Sequence, residues 1–193
     1  MSSSLMGGFL KVAQEALFQP QEALAEISRK KNNLYIGIPK ETAFQEKRIA
    51  LTPLSVALLV HNGHQVVIES GAGLAANFSD SNYSEQGAII AHDRKEVYKG
   101  DIILKIAPPT NEDIALMKPN QIVFSALQTG TCNKEQILAM MAKKITAVAF
   151  EYIRDDGNTL SVVRAMSEIV GATSILIAAE YLSNVYGGKG LML

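Results

Sequence analysis

The chain has 193 residues, 48% hydrophobic and 19% charged, which suffices for one substantial core and excludes a disordered chain. A formal net charge of -1 leaves no basic excess for nucleic acid, and gives no electrostatic reason to bind an anionic membrane. The single cysteine, Cys132, excludes an intrachain disulfide and a four-thiolate metal site and fits a reducing cytoplasm.

The first ten residues lack the basic start and long apolar run of a signal peptide. Residues 1–33 read as an N-terminal helical arm. Phe9, Val12, Ala13, Ala16 and Leu17 make an apolar stripe that Pro20 breaks, and a second short helix over 21–30 ends in basic residues. Such an arm packs on its own domain or reaches a neighbouring subunit.

Residues 34–160 read as an α/β domain whose organising unit spans 34–69. Tyr35, Ile36 and Ile38 form a strand stopped by Pro39. Thr52-Pro53 opens a helix with a hydroxyl cap and a proline at the first position. Val56, Leu59 and Val60 place an apolar stripe on it, and Asn62-Gly63 ends it. Val66, Val67 and Ile68 return as a buried strand, so the unit is βαβ in a parallel sheet. Arg48 lies in the loop after the first strand, at a carboxyl end where open α/β sheets bind ligands. A guanidinium there can hold a carboxylate by two parallel hydrogen bonds, provided it faces a cavity. The competing assignment is a solvated surface arginine.

Ser70-Gly71-Ala72-Gly73 lacks the spacing of a dinucleotide fingerprint. A helix over 80–86 follows, capped by Ser79 or Asp80, then a strand over 88–91 and a helix over 93–98. The apolar run 101–107 reads as a central strand ended by Pro108-Pro109. Lys105 inside that run must reach a carboxylate, a cleft or the domain edge. A lysine snorkelling to solvent is the preferred reading, and a substrate contact the second. Helices over 111–117 and 133–143 alternate with strands over 121–127 and 145–152. Gln128 follows one strand end; it can donate and accept hydrogen bonds but cannot shuttle protons.

This β-α rhythm, repeated about six times, predicts a doubly wound parallel sheet of Rossmann or flavodoxin-like type. Residues 161–193 read as a long helix, over 163–185, and a glycine hinge at Gly187-Gly188-Lys189-Gly190. Glu168 and Glu180 interrupt its apolar composition, so a buried or interfacial helix is expected and no membrane span. The Ser167 hydroxyl caps that helix or meets a phosphate, with the cap preferred. His61, His64 and His92 read as surface residues that make no metal set. Cys132 lacks a sequence-positioned histidine partner for nucleophilic chemistry. The apolar end after the hinge reads as an interruption of a longer protein.

Several motifs together resemble the N-terminal region of the alanine dehydrogenase and pyridine nucleotide transhydrogenase family. They are the segments 36–41 (Ile-Gly-Ile-Pro-Lys-Glu), 48–53 (Arg-Ile-Ala-Leu-Thr-Pro), 62–64 (Asn-Gly-His) and 69–73 (Glu-Ser-Gly-Ala-Gly). Segments 103–105 (Ile-Leu-Lys), 149–151 (Ala-Phe-Glu) and 166–171 (Met-Ser-Glu-Ile-Val-Gly) complete the set. The resemblance covers residues 34–193 and leaves out the arm.

It implies that 34–160 is a substrate-side domain and that 161–193 leads toward a nucleotide-binding domain absent from this chain. That domain would bind most of an NAD cofactor, with NADP an option. The resemblance further implies a small carboxylate substrate, a homo-oligomer and a cytoplasmic location. Arg48 matches the arginine that holds the carboxylate of pyruvate or alanine, with Lys105 and Gln128 as weaker substrate contacts. Ser167 matches a serine near the cofactor phosphates, and no metal is implied. Two departures stand out. Ala107 replaces the family's substrate-binding lysine, and Gln128 replaces a histidine that handles protons at the substrate carbonyl.

The implied activity is NAD-dependent oxidation of L-alanine to pyruvate and ammonium. One alternative is a transhydrogenase subunit moving hydride between nicotinamide nucleotides beside a membrane partner. Another, of a different class, is a catalytically silent oligomerisation or sensor domain.

Overall fold

The computed structural model describes residues 33–128 and 133–190. The helical arm expected over 1–33 lies outside them except for Asn33, and Cys132 lies outside them altogether. Six strands form one sheet: β1 (Tyr35–Ile38), β2 (Gln65–Glu69), β3 (Ile89–Ala91), β4 (Ile102–Leu104), β5 (Ile122–Ser125) and β6 (Thr146–Ala149). Their order is β3-β2-β1-β4-β5-β6 and every neighbouring pair is parallel. This is the doubly wound sheet expected from the β-α rhythm, and its strand order reverses between β1 and β4.

Helix α1 (Pro53–His61) starts where the sequence places it: the Thr52 hydroxyl accepts from the Ser55 N–H and Pro53 fills the first position. Gly63, at φ 89°, takes the left-handed turn into β2. Helices α2 (Asp80–Ser84), α4 (Asn111–Leu116) and α5 (Lys134–Ala142) each open with a capping box, built on Ser79, Thr110 and Asn133. Helix α3 (Arg94–Val97) is capped by Asp93.

The core divides between the sheet's faces. Ile36, Ile38, Val56, Val66, Ile68 and Tyr83 pack together in one cluster, while Val67, Ala91 and Val97 form another. A third cluster, Tyr98, Ile103, Met117 and Val123, fills the space under α4. Each fully buried aliphatic side chain contributes about 1.5–3 kcal/mol. The central residues of β1 and β2 are buried on both faces of the sheet, as expected of central parallel strands.

Several strands are shorter than their apolar runs. Regular pairing in β4 ends at Leu104, although Lys105 N–H still donates to Phe124 O. The next N–H, of Ile106, donates instead to the Glu41 carboxylate at 2.6 Å, so a side chain competes with the ladder. Strand β6 ends at Ala149 and turns into a 3₁₀ segment, Phe150–Tyr152.

Helix α6 (Ser161–Leu182) begins two residues before the expected start and ends three before the expected end. None of its residues is buried; Ile169, Val170, Leu176 and Tyr181 are each more than 60% exposed. A buried helix, one of the two readings of its composition, is thereby corrected. Its length and composition would suffice to cross a membrane. His64 is also less superficial than expected: it is half-buried and its Nδ1 accepts from the Leu34 N–H.

Candidate functional site

The reversal of strand order puts the loops after β1 and β4 side by side. Against them lies the start of α6, and between these elements is a cavity of about 390 Å³. Leu104, Ile106, Phe124, Phe150, Val162 and Met166 give it apolar walls. Arg48 and Lys105 are the charged residues among its described lining. Such a crevice is where open α/β sheets place ligands.

The two cations meet very different surroundings. Arg48 is 56% exposed and paired with Glu46, which is 13% exposed. Its Nε donates to Glu46 Oε1 at 2.8 Å and its Nη2 to Glu46 Oε2 at 2.6 Å. The remaining terminal nitrogen, Nη1, lies 3.1 Å from the Met166 Sδ. A thioether is a weak acceptor, so that end of the guanidinium is poorly satisfied. The hydrogen bonds from Arg48 hold the Glu46 carboxyl below the usual carboxylate range, and the same contact raises Arg48. The arginine is thus locked to a neighbouring acid yet still faces the cavity.

Lys105 is 2% exposed, and its ammonium lies 3.2 Å from both Glu41 Oε2 and Asp113 Oδ2. The snorkelling reading is corrected: the β4 run is central and offers no route to water, so buried carboxylates neutralise the charge instead. Asp113 is fully buried and accepts further bonds from Arg94 Nη2 at 2.7 Å, Tyr98 Oη at 2.6 Å and Thr110 N–H at 2.9 Å. Burial pushes the Asp113 carboxyl up, but the Lys105 charge and then the Tyr98 and Arg94 bonds outweigh it and hold it well below the usual range. Tyr98 shifts upward through burial and the adjacent Asp113 charge. Arg94 also reaches Glu69 Oε2 at 3.0 Å, which ties the network back to β2.

Glu41, Glu46, Arg94 and Asp113 were not singled out from the sequence. Thr110-x-x-Asp113 does carry a capping-box pattern, a signal that could have marked Asp113 as a structured side chain. The spacing of the other three carries no comparable signal.

Gln128 and Ser167 are not in the cavity lining, nor is Ala107. Gln128 adopts φ 45°, and the Glu151 Oε1 accepts both its N–H and that of Leu127 at 2.9 Å. The second Glu151 oxygen is buried and finds no hydrogen-bond partner among the described residues. Ser167 is exposed in the second turn of α6. The cap reading is corrected, because the helix already starts at Ser161 and the backbone there is committed to it.

A dinucleotide needs a cradle of free backbone N–H groups at a glycine turn. The Gly71 N–H after β2 is instead taken by Asp80 Oδ1 at 2.8 Å, and Ser70 Oγ donates to Asp80 Oδ2 at 2.7 Å. A Cβ at Gly73 would come within 2.6 Å of the Tyr83 ring and 2.8 Å of Phe78 O, so this glycine serves packing. The Gly71–Gly73 turn therefore offers no cradle for a pyrophosphate.

Comparison with known proteins places this geometry in context. The family model described as alanine dehydrogenase/PNT, N-terminal domain, matches residues 37–170. Alanine dehydrogenase of Bacillus subtilis is 36% identical over 160 residues, covering 83% of this chain and 42% of the relative. That of Methanococcus maripaludis is 38% identical over 161 residues, covering 83% and 43%. The chain thus spans less than half the length of these curated relatives. A solved L-alanine dehydrogenase superposes with a TM-score of 0.78 at 33% identity, over 83% of this chain and 44% of that one. A transhydrogenase structure from Sinorhizobium meliloti gives 0.58 at 31% identity, over 62% and 35%.

Proposed function

Because the chain belongs to the alanine dehydrogenase/PNT family through its N-terminal domain, we propose that it forms the substrate-side part of an NAD-dependent alanine dehydrogenase. The reaction is L-alanine, water and NAD going to pyruvate, ammonium, NADH and a proton. One observation carries this reading: the end of the Arg48 guanidinium faces the apolar cavity beside β1 and β4 with only a thioether against it. Two parallel N–H groups there suit the two oxygens of a small carboxylate. Phe124, Phe150 and Met166 give that contact apolar walls on the cavity side.

NAD supplies the hydride acceptor. It is proposed to bind mainly outside residues 33–190, where the glycine turns are already used for packing and internal hydrogen bonds. The Ser167 hydroxyl remains available toward its phosphates. Lys105 holds the loop after β1 to that after β4 through Glu41, so its proposed part is to shape the cavity wall. A cytoplasmic homo-oligomer completes this reading.

The transhydrogenase alternative draws on the Ala107 and Gln128 departures and on the Sinorhizobium meliloti neighbour. Turnover assays on the full-length protein separate the two. Alanine-dependent NADH formation supports the first, and hydride exchange between two nucleotides without alanine supports the second. Under the alanine dehydrogenase reading, Arg48→Ala should weaken pyruvate binding tenfold or more, about 1.5–3 kcal/mol for a charged hydrogen bond. Unchanged affinity in that variant rejects the Arg48 assignment.

A further inference from the structure

We propose that Glu46 is the positioning residue for Arg48, gripping one edge of the guanidinium so that the opposite edge stands ready for a ligand carboxylate. This rests on the carboxylate-binding reading of Arg48 given above. The loop is shaped for the grip. Gln45 takes a left-handed backbone conformation at φ 59°, and the Glu46 N–H closes a turn onto Ala43 O at 3.1 Å. The chain doubles back there, and Glu46 Oε1 accepts from both the Arg48 N–H at 3.0 Å and its Nε at 2.8 Å. The second oxygen takes Nη2 at 2.6 Å.

A guanidinium carries five N–H groups in a fixed plane. Glu46 occupies the Nε and Nη2 side, while Nη1 points to the Met166 Sδ inside the cavity. The end edge, made of Nη1 and the second N–H of Nη2, is therefore the one turned toward a ligand. A ligand carboxylate and Glu46 use different donors and do not compete for them. Displacing a thioether from Nη1 sacrifices little, because sulfur accepts hydrogen bonds weakly.

Glu46 has an opposing effect, since its negative charge reduces the attraction felt by an incoming anion. Orientation outweighs it here. Without the fork, a side chain that is 56% exposed would sample many rotamers and would have to be ordered on binding. The fork removes that ordering cost in advance.

The test titrates pyruvate into the full-length protein and its variants, with steady-state kinetics run alongside. Glu46→Gln keeps the size but breaks half of the fork; it should raise the pyruvate Kd and KM about fivefold or more while kcat changes less than about threefold. Glu46→Asp, which keeps the charge and both acceptors, should recover part of the loss. Adding Glu46→Gln to Arg48→Ala should cost nothing further, as expected for residues acting through one contact. Equal or tighter pyruvate binding by Glu46→Gln overturns the proposal and leaves the Arg48 assignment standing. Unchanged binding by Arg48→Ala removes that assignment, and the positioning role with it.

Discussion

Two cationic side chains lie just beyond neighbouring parallel strands, and they have opposite fates. Lys105 follows β4, is shut away from water and meets two carboxylates. Arg48 follows β1, is more than half exposed, and meets one carboxylate along one edge and a thioether at its end. A buried ammonium with incomplete neutralisation would be too costly to keep, so the first site has to be closed and structural. A planar guanidinium at a cavity mouth can be held on one edge and still leave donors on another, so the second site can be open and ligand-directed. Charge at a strand end does not by itself mark a binding site; what matters is how many of its donors the protein has already used.

That contrast can be broken most forcefully at Asp113. Removing its carboxylate in Asp113→Ala leaves Lys105 and Arg94 facing one another with a buried hole between them. The expected loss is about 3–5 kcal/mol of folding stability, read from urea denaturation. A loss below about 1 kcal/mol would mean that the buried network is not what holds the β4 end in place.

Acid gives a second, smaller handle on the same cluster. The native Asp113 carboxyl titrates below its unfolded value of about 3.9, so its contribution is fully present above that pH. It is lost as pH falls through the native value, because the unfolded chain then binds the proton first. Stability should drop by about 2 kcal/mol more in the parent than in Asp113→Asn between pH 5 and strongly acidic solution, seen in the urea midpoint. Parallel pH curves for the two proteins would refute this.

The Arg48 side of the comparison concerns binding. Arg48→Ala should reduce pyruvate affinity by about 1.5–3 kcal/mol while leaving the urea midpoint nearly unchanged. The smallest effect is expected on the outer surface of α6, where Leu176 is 71% exposed. Leu176→Gln should alter the stability of this chain by less than about 0.5 kcal/mol. A larger loss by thermal denaturation would reveal that a further surface covers this helix.

The β-branched and aromatic run of Tyr35, Ile36 and Ile38, the Thr52-Pro53 start and the Gly63 turn were all legible because they depend on local stereochemistry. Strand ends were less so. The run 101–107 looks uniform, yet the Glu41 carboxylate takes the Ile106 N–H after regular pairing in β4 has stopped. The start of α6 was misplaced for a related reason. Leu160 offers no side-chain cap at its N-terminus, so capping chemistry could not mark the boundary.

Sequence alone settled the class of fold and located Arg48 at a carboxyl strand end, because periodicity and turn residues act over a few positions. It also marked Lys105, inside an apolar run, as a cation that must reach a carboxylate, a cleft or the domain edge, and it favoured solvent over the carboxylates. Only the tertiary structure decided who the partners are. Glu41 comes from the loop after β1, Arg94 from the start of α3 and Asp113 from the first turn of α4, and it is the reversal of strand order between β1 and β4 that brings them together. The pairing of Glu46 with Arg48 spans two residues, yet its consequence also waited on the fold. Whether the free edge of that guanidinium looks into a cavity depends on α6 and Met166, 118 residues further along the chain.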